Sequence, residues 1–244
     1  MSKEQRLIIY HTSDMHNRMG ALNYLAAAGK DADTLILDSG DALSGSNTVF
    51  KFSEPIIKKM NEISYDAMAM GNREFNYLRW VLKIRHREAA FPILCANLKD
   101  DRNVADSYYS RYIIKKVNGL NVGIFGLTPV QYRTDSKWRA IMRFKFIDPK
   151  DCSKEIISEI KEKVNLVILL SHLGLEEDKK IAQEVEGIDL IFGGHTHDIL
   201  KEPLRVNGVY IFHPGSHGRF CGRAEITVDS DEKIKELNYV LYST

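Results

Sequence analysis

Along the chain, short apolar runs rich in β-branched residues alternate with stretches in which apolar positions recur every three or four residues. This is the arrangement of an α/β protein whose strands are covered by helices. The runs predict strands at residues 6–12, 34–38, 67–70, 92–96, 111–117, 122–127, 166–171, 190–192, 209–213, 223–228 and 234–242. Two helices have readable starts. Ser53-Glu54-Pro55 offers a capping hydroxyl and a first-turn proline ahead of the stripe Ile56, Met60 and Ile63. Asp148-Pro149 opens another in the same way, with Ile156, Ile157, Ile160 and Val164 on the buried face. After Asp189 the pattern becomes consecutive strands punctuated by Asn207-Gly208 and Asp231, so antiparallel strands are expected at the C-terminal end and the sheets should be mixed. Two polar segments, 99–110 and 131–145, read as long loops. With no internal repeat, low-complexity tract or Pro/Ser-rich linker, residues 1–244 read as a single domain.

Composition narrows the function classes. The 244 residues are 44% hydrophobic and 27% charged, ample for a sizeable core and unlike a disordered or collagen-like chain. Lys and Arg total 34 against 33 Asp and Glu, a net charge of +1, so no overall field draws the protein to a nucleic acid polymer or an anionic membrane. An anionic substrate has to be held by a local site. The apolar run 7–10 is too short for a signal sequence, and no span approaches the ~20 apolar residues of a membrane helix. Cys95, Cys152 and Cys221 are far apart and odd in number, as expected of reduced thiols rather than a disulfide frame or a Cys-based metal site. Together these features point to a cytoplasmic protein.

Candidate chemistry accumulates where the apolar runs stop. Asp14 and His16 follow the first run, Asp41 the second and Asn72 the third, while His172 ends Val-Ile-Leu-Leu-Ser-His and His195 and His197 end Phe-Gly-Gly-His-Thr-His. The ends of parallel strands share one sheet edge, where ligand sites form. Carboxylate, amide and imidazole donors without thiolates suit Mn²⁺, Fe or Zn²⁺. In Asp-x-His and His-x-His, the two side chains lie on one side of an extended segment and can grip one ion. Gly40, Gly71, Gly193 and Gly194 let the backbone turn sharply beside it.

These pieces resemble the calcineurin-like metallophosphoesterases, and within them the catalytic domain of the 5′-nucleotidase branch. The matching segments are His11-Thr12-Ser13-Asp14-Met15-His16, Leu37-Asp38-Ser39-Gly40-Asp41, Met70-Gly71-Asn72, Ser171-His172-Leu173-Gly174 and Gly193-Gly194-His195-Thr196-His197, followed by Pro214-Gly215-Ser216-His217-Gly218-Arg219. The resemblance implies a four-layer α/β/β/α sandwich of two mixed sheets with two divalent metal ions (Mn, Zn, Fe, Ni or Co) at its edge. By the same resemblance Asp14, His16 and His197 hold the first ion, Asn72, His172 and His195 hold the second, and Asp41 bridges them. Such a pair activates water as hydroxide for attack on a small phosphomonoester or phosphodiester, a nucleotide among them. Asp41, Asn72 and Arg73 are then the catalytic set, with Arg73 and Asn97 on the substrate side, and the implied setting is nucleotide catabolism.

Two departures qualify the resemblance. Where the family reads Gly-Asn-His-Glu-Phe-Asp, this chain has Gly71-Asn72-Arg73-Glu74-Phe75-Asn76, so both members of the dyad that serves the leaving group are changed. Arg73 can meet phosphoryl charge but is a very poor proton donor. Loss of Asp at position 76 is expected to leave the Arg73 guanidinium free to face phosphate. The alternative is a binding or regulatory protein that kept the scaffold and the metals with little turnover. The second departure is that the chain has no counterpart of the C-terminal specificity domain common in this branch. Tyr132 and Trp138, among Arg133, Lys137, Arg139, Arg143 and Lys145, could stack a base instead. His11 is expected to be packed, His86 to lie on a solvated helix face, and His213 and His217 to line the cleft without binding metal.

Overall fold

The apolar runs build two six-stranded mixed sheets, seen in a computed structural model that describes residues 4–52, 54–102, 108–133, 135–230 and 233–244. In the first sheet, β1 (Gln5–Thr12), β2 (Thr34–Asp38), β3 (Ala67–Ala69) and β4 (Ile93–Leu94) run parallel. The antiparallel strands β13 (Phe220–Val228) and β14 (Ile234–Ser243) extend it beyond β1. In the second sheet, β7 (Leu120–Leu127), β9 (Leu166–Ser171), β10 (Leu190–Gly193) and β12 (Val209–Phe212) are parallel, and β6 (Tyr112–Val117) and β11 (Leu204–Val206) close its edges antiparallel.

Side-chain alternation sorts each strand between two cores. Leu35 and Leu37 of β2, like Leu166, Ile168 and Leu170 of β9, meet in the layer between the sheets. Ile36 turns outward onto α1 (Gly20–Ala28) and α2 (Pro55–Ile63), packing with Leu22, Leu25, Ile56 and Met60. Val167 and Leu169 turn the other way, onto α5 (Pro149–Ile160) and α6 (Leu175–Glu184), where Ile156, Ile160 and Ile181 cover them. Because a strand's side chains alternate with period two, strands apolar on both faces read as unbroken runs and end up inside a four-layer α/β/β/α sandwich. Asp148 caps α5 as expected, its carboxylate accepting from the N–H groups of Lys150 and Asp151.

Every predicted run forms a strand, but the two expected loops are not simply loops. Residues 99–110 begin in β5 (Leu98–Asp100), and residues 131–145 contain α4 (Lys137–Met142) and the start of β8 (Phe144–Phe146). β5 and β8 pair antiparallel because Leu98, Phe144 and Phe146 turn into the core while Lys99 and Lys145 point away. β11 also went unread. It pairs with β12 across Asn207-Gly208, whose left-handed φ values of 48° and 88° suit a tight hairpin turn. Ser53 and Asp231, read as cap and turn, lie outside the described residues. Among the described residues no helix is long and apolar enough to cross a membrane.

Candidate metal centre

The loops after β1 and β2 are laced together by backbone hydrogen bonds. Asp14 N–H donates to Gly40 O (2.9 Å), His16 N–H to Asp41 O (3.0 Å) and Asn17 N–H to Ala42 O (2.7 Å). This forces Asp14, His16 and Asp41 to share one edge. Asp14, His16, Asp41, His195 and His197 all hold left-handed φ values between 47° and 77°, a strained conformation that persists where surrounding structure imposes it and that clusters at functional sites. Gly71 comes so close to Asp41 that a Cβ there would lie 2.3 Å from its Oδ1.

The side chains converge in two overlapping groups, Asp14 with His16 and His197, and Asp14 with Asp41 and His172, each with donor atoms within 4.8 Å of one another. In the first, His16 Nε2 and His197 Nε2 lie 3.2 Å apart and His197 Nε2 is 3.4 Å from Asp14 Oδ1. In the second, His172 Nδ1 donates to the Ser39 carbonyl (2.7 Å), which fixes the tautomer and presents Nε2 at 3.4 Å from Asp41 Oδ1 and 3.3 Å from Asn72 Oδ1. His195 packs edge-on to His172, ring centroids 5.1 Å apart, and its N–H donates to Asp14 Oδ2 (2.9 Å).

This donor set fits divalent metal. Asp14 is fully buried, yet among the described residues its Oδ1 has no hydrogen-bond donor. Burial alone would raise its pKa, but His197, His172, Ser13 and the His195 N–H hold it down to about 2, so the carboxylate is ionised. Burial likewise opposes charge on His172, but Asp41 and Asp14 raise it to about 9. Two buried carboxylates thus demand positive charge at this point, and a cation in place of the His172 proton supplies it. The absence of thiolates and the mixture of imidazole, carboxylate and amide suit Mn, Fe, Zn, Ni or Co.

Asn72, Arg73 and His195 line a neighbouring cleft of about 370 Å³ together with Ser46, Asn47 and Gln131. Arg73 is not the free guanidinium that loss of Asp at position 76 suggested. Its Nη1 donates to Gly45 O (3.0 Å), its Nε sits 3.5 Å from Asp41 Oδ2, and its N–H donates to Asp41 Oδ1 (2.8 Å). Asn97 is fully buried and the structure does not bring it into this cleft; its amide is engaged at both ends by the backbone of Thr128. His11 is packed, as expected, with Nε2 2.7 Å from Ser39 Oγ, and His86 is exposed on α3 (Arg79–Glu88). His213 is buried away from the cleft against Asp178, at 2.8 Å. His217, by contrast, packs against both His16 and His197, ring centroids 5.0 and 5.4 Å away, and its N–H donates to Asp14 O (2.7 Å).

The sequence profile of the calcineurin-like phosphoesterases matches residues 7–198, which carry every candidate ligand. The chain belongs to this family. The chain is 30% identical over 243 aligned positions to the uncharacterised metallophosphoesterase YunD of Bacillus subtilis, covering 94% of the chain and 52% of YunD. It is 28% identical over 285 positions to a 5′-nucleotidase of Vibrio vulnificus, covering 97% of the chain and 51% of the relative. The crystal structure of a 5′-nucleotidase precursor from Thermus thermophilus superposes with a TM-score of 0.81 at 25% identity, over 98% of this chain and 54% of that one. The chain thus spans about half the length of the curated relatives it matches.

One positioning residue of this site carries no signal in the sequence pattern. Glu74 is buried, and its carboxylate accepts from the N–H groups of Asp41 (2.8 Å), Leu43 (3.1 Å) and Gly71 (2.9 Å), tying together the loops that carry Asp41 and Asn72. Burial and the nearby Asp41 push its pKa up to about 7. Only its place beside Asn72 in the Gly-Asn-Arg-Glu segment hinted at a role. Glu74→Ala leaves three buried N–H groups without an acceptor, so it is expected to destabilise the metal-free fold by at least about 2 kcal/mol. Glu74→Gln, which keeps one carbonyl oxygen, should lose less. Thermal unfolding of both variants checks this, and an unchanged midpoint for Glu74→Ala would remove the residue from this role.

Proposed function

We propose that the chain hydrolyses small phosphate esters with two divalent metal ions at the sheet edge. Asp14, His16 and His197 would hold one ion and Asn72, His172 and His195 the other, with Asp41 available to both. The observation that carries the reading is the convergence of Asp14 and Asp41 with His16, His172 and His197, with Asp14 Oδ1 buried and lacking a donor among the described residues. When bound, such ions lower the pKa of a water and offset the charge of phosphoryl oxygens. The chain's own residues then set which esters react. Asn72 and Arg73 line the cleft beside these groups, and the guanidinium can turn from Asp41 to a phosphoryl oxygen, to which it offers N–H groups but no proton. Among the described residues His195 is the only imidazole lining the cleft, and burial and His172 lower its pKa, which disfavours its protonated form. The leaving oxygen is therefore served by solvent, and esters with good leaving groups are preferred.

Supplied in turn with Mn²⁺, Zn²⁺, Co²⁺ and Ni²⁺, the protein is expected to hydrolyse 4-nitrophenyl phosphate or bis(4-nitrophenyl) phosphate with at least one metal, and to stop when a chelator is added. Bound metal with no turnover on either ester would favour the binding-protein reading. No bound metal at all would overturn both.

A further inference from the structure

A cavity of about 560 Å³, within the range of small-molecule sites, opens beside the phosphate cleft and is lined by aromatic rather than charged side chains. Asn47 and Gln131 line both spaces, and Asn47 Nδ2 donates to Gln131 Oε1 (3.2 Å), so this pair forms a sill between them. Beyond the sill, the rings of Tyr77 and Tyr132 stack at 6.2 Å and 22°, and the Tyr132 hydroxyl donates to Phe144 O (2.8 Å), which fixes that ring. Trp138 sits in the first turn of α4, where the Ser136 hydroxyl caps its N–H, and its side chain is 57% exposed. Leu78, also on the wall, is 47% exposed. Hydrogen-bonding capacity here is largely spent. Gln131 Nε2 donates to Pro129 O, and the Asn76 amide is engaged by Ser46 O and the Leu78 N–H.

We propose that this cavity is a stacking subsite for a flat aromatic ring carried by the alcohol of the phosphate ester, with Trp138 and Tyr132 as its principal surfaces. The inference rests on the phosphoesterase reading for where the phosphate sits. With its amides engaged, this wall holds a ring mainly by the area of its aromatic faces and only secondarily by a pattern of donors and acceptors, so purine and pyrimidine rings are both accepted. Gln131, Tyr132, Trp138 and Met142 form one wall of the cavity and Asn47, Thr48, Asn76, Tyr77 and Leu78 the other, with Tyr132 and Met142 also packed on the core.

The chain has two tryptophans, so Trp80→Phe leaves Trp138 as the sole indole. In that variant adenosine and cytidine should quench the indole emission saturably, with affinities within about ten-fold of each other, whereas ribose should not. This binding assay needs neither metal nor turnover, so it stands or falls separately from hydrolysis. In the active protein, Trp138→Ala should lower the ratio of kcat/KM on a nucleoside monophosphate to that on glycerol 3-phosphate by about ten-fold, the scale of one lost stacking partner, and Trp138→Phe should restore most of it. Quenching by ribose equal to that by adenosine, no saturable quenching, or an unchanged ratio would overturn the subsite.

Discussion

Asp14→Asn is expected to abolish stoichiometric metal binding and to lower ester hydrolysis by at least about 10²-fold, since residues that only support metal ligands already reach that scale. Asp14 belongs to both groups of converging donors. Its Oδ2 is held by the Ser13 hydroxyl and the His195 N–H, which leaves Oδ1 aimed at His197 Nε2 (3.4 Å) and His172 Nε2 (3.9 Å). The carboxylate is ionised at any working pH because its pKa is held at about 2. Asparagine keeps the shape and removes the charge, so the loop geometry should survive while the cluster of imidazoles loses its central anion. Isothermal titration of the metal-free variant with Mn²⁺, with metal content after dialysis, reads the outcome. Wild-type stoichiometry and affinity in Asp14→Asn would remove the residue from the metal centre.

Asp14 also shows how much of the site the sequence exposed. Buried strands are apolar on both faces, so each reads as a run, and a polar residue just past its end is conspicuous. Asp14, Asp41, Asn72, His172 and His195 all stand out as candidates in that way. The fold was legible for the same reason, and what escaped is what lies outside that rule. β11 is half-buried at a sheet edge and β5 is three residues long with one buried side chain, so neither forms an apolar run. Likewise α4 has six residues and buries none of them. Glu74 works through the backbone N–H groups of loops up to 33 positions away, and His217 reaches His16 only because the start of β13 lies against the end of β1. The tether from Arg73 to Gly45 O depends on the path of a loop that no residue pattern prescribes.

That tether makes position 73 the most informative one to change. The double variant Arg73→His with Asn76→Asp is expected to raise turnover on alkyl phosphates, whose leaving oxygen needs a proton, by about 10²-fold, and to change 4-nitrophenyl phosphate hydrolysis far less. The present pair cannot perform that step. A guanidinium is a very poor proton donor, and Asn76 is committed elsewhere, its Nδ2 donating to Ser46 O (3.1 Å) and its Oδ1 accepting from the Leu78 N–H (2.9 Å). An aspartate at 76 loses the first of these bonds and faces the Ser46 carbonyl with a buried charge, a cost of about 1–3 kcal/mol unless the new histidine takes up that carboxylate. Asn76→Asp alone should therefore lower the unfolding midpoint, and adding Arg73→His should recover part of it. The same pairing gives the double variant a proton donor whose pKa the carboxylate raises above the free imidazole value of about 6.5, so its rate on alkyl phosphates should fall as pH rises through that higher value, a limb the parent lacks. Equal gains on both classes of ester would mean that Arg73 limits access or metal binding, and not proton supply. No gain on alkyl phosphates would show that a missing acid is not what limits turnover.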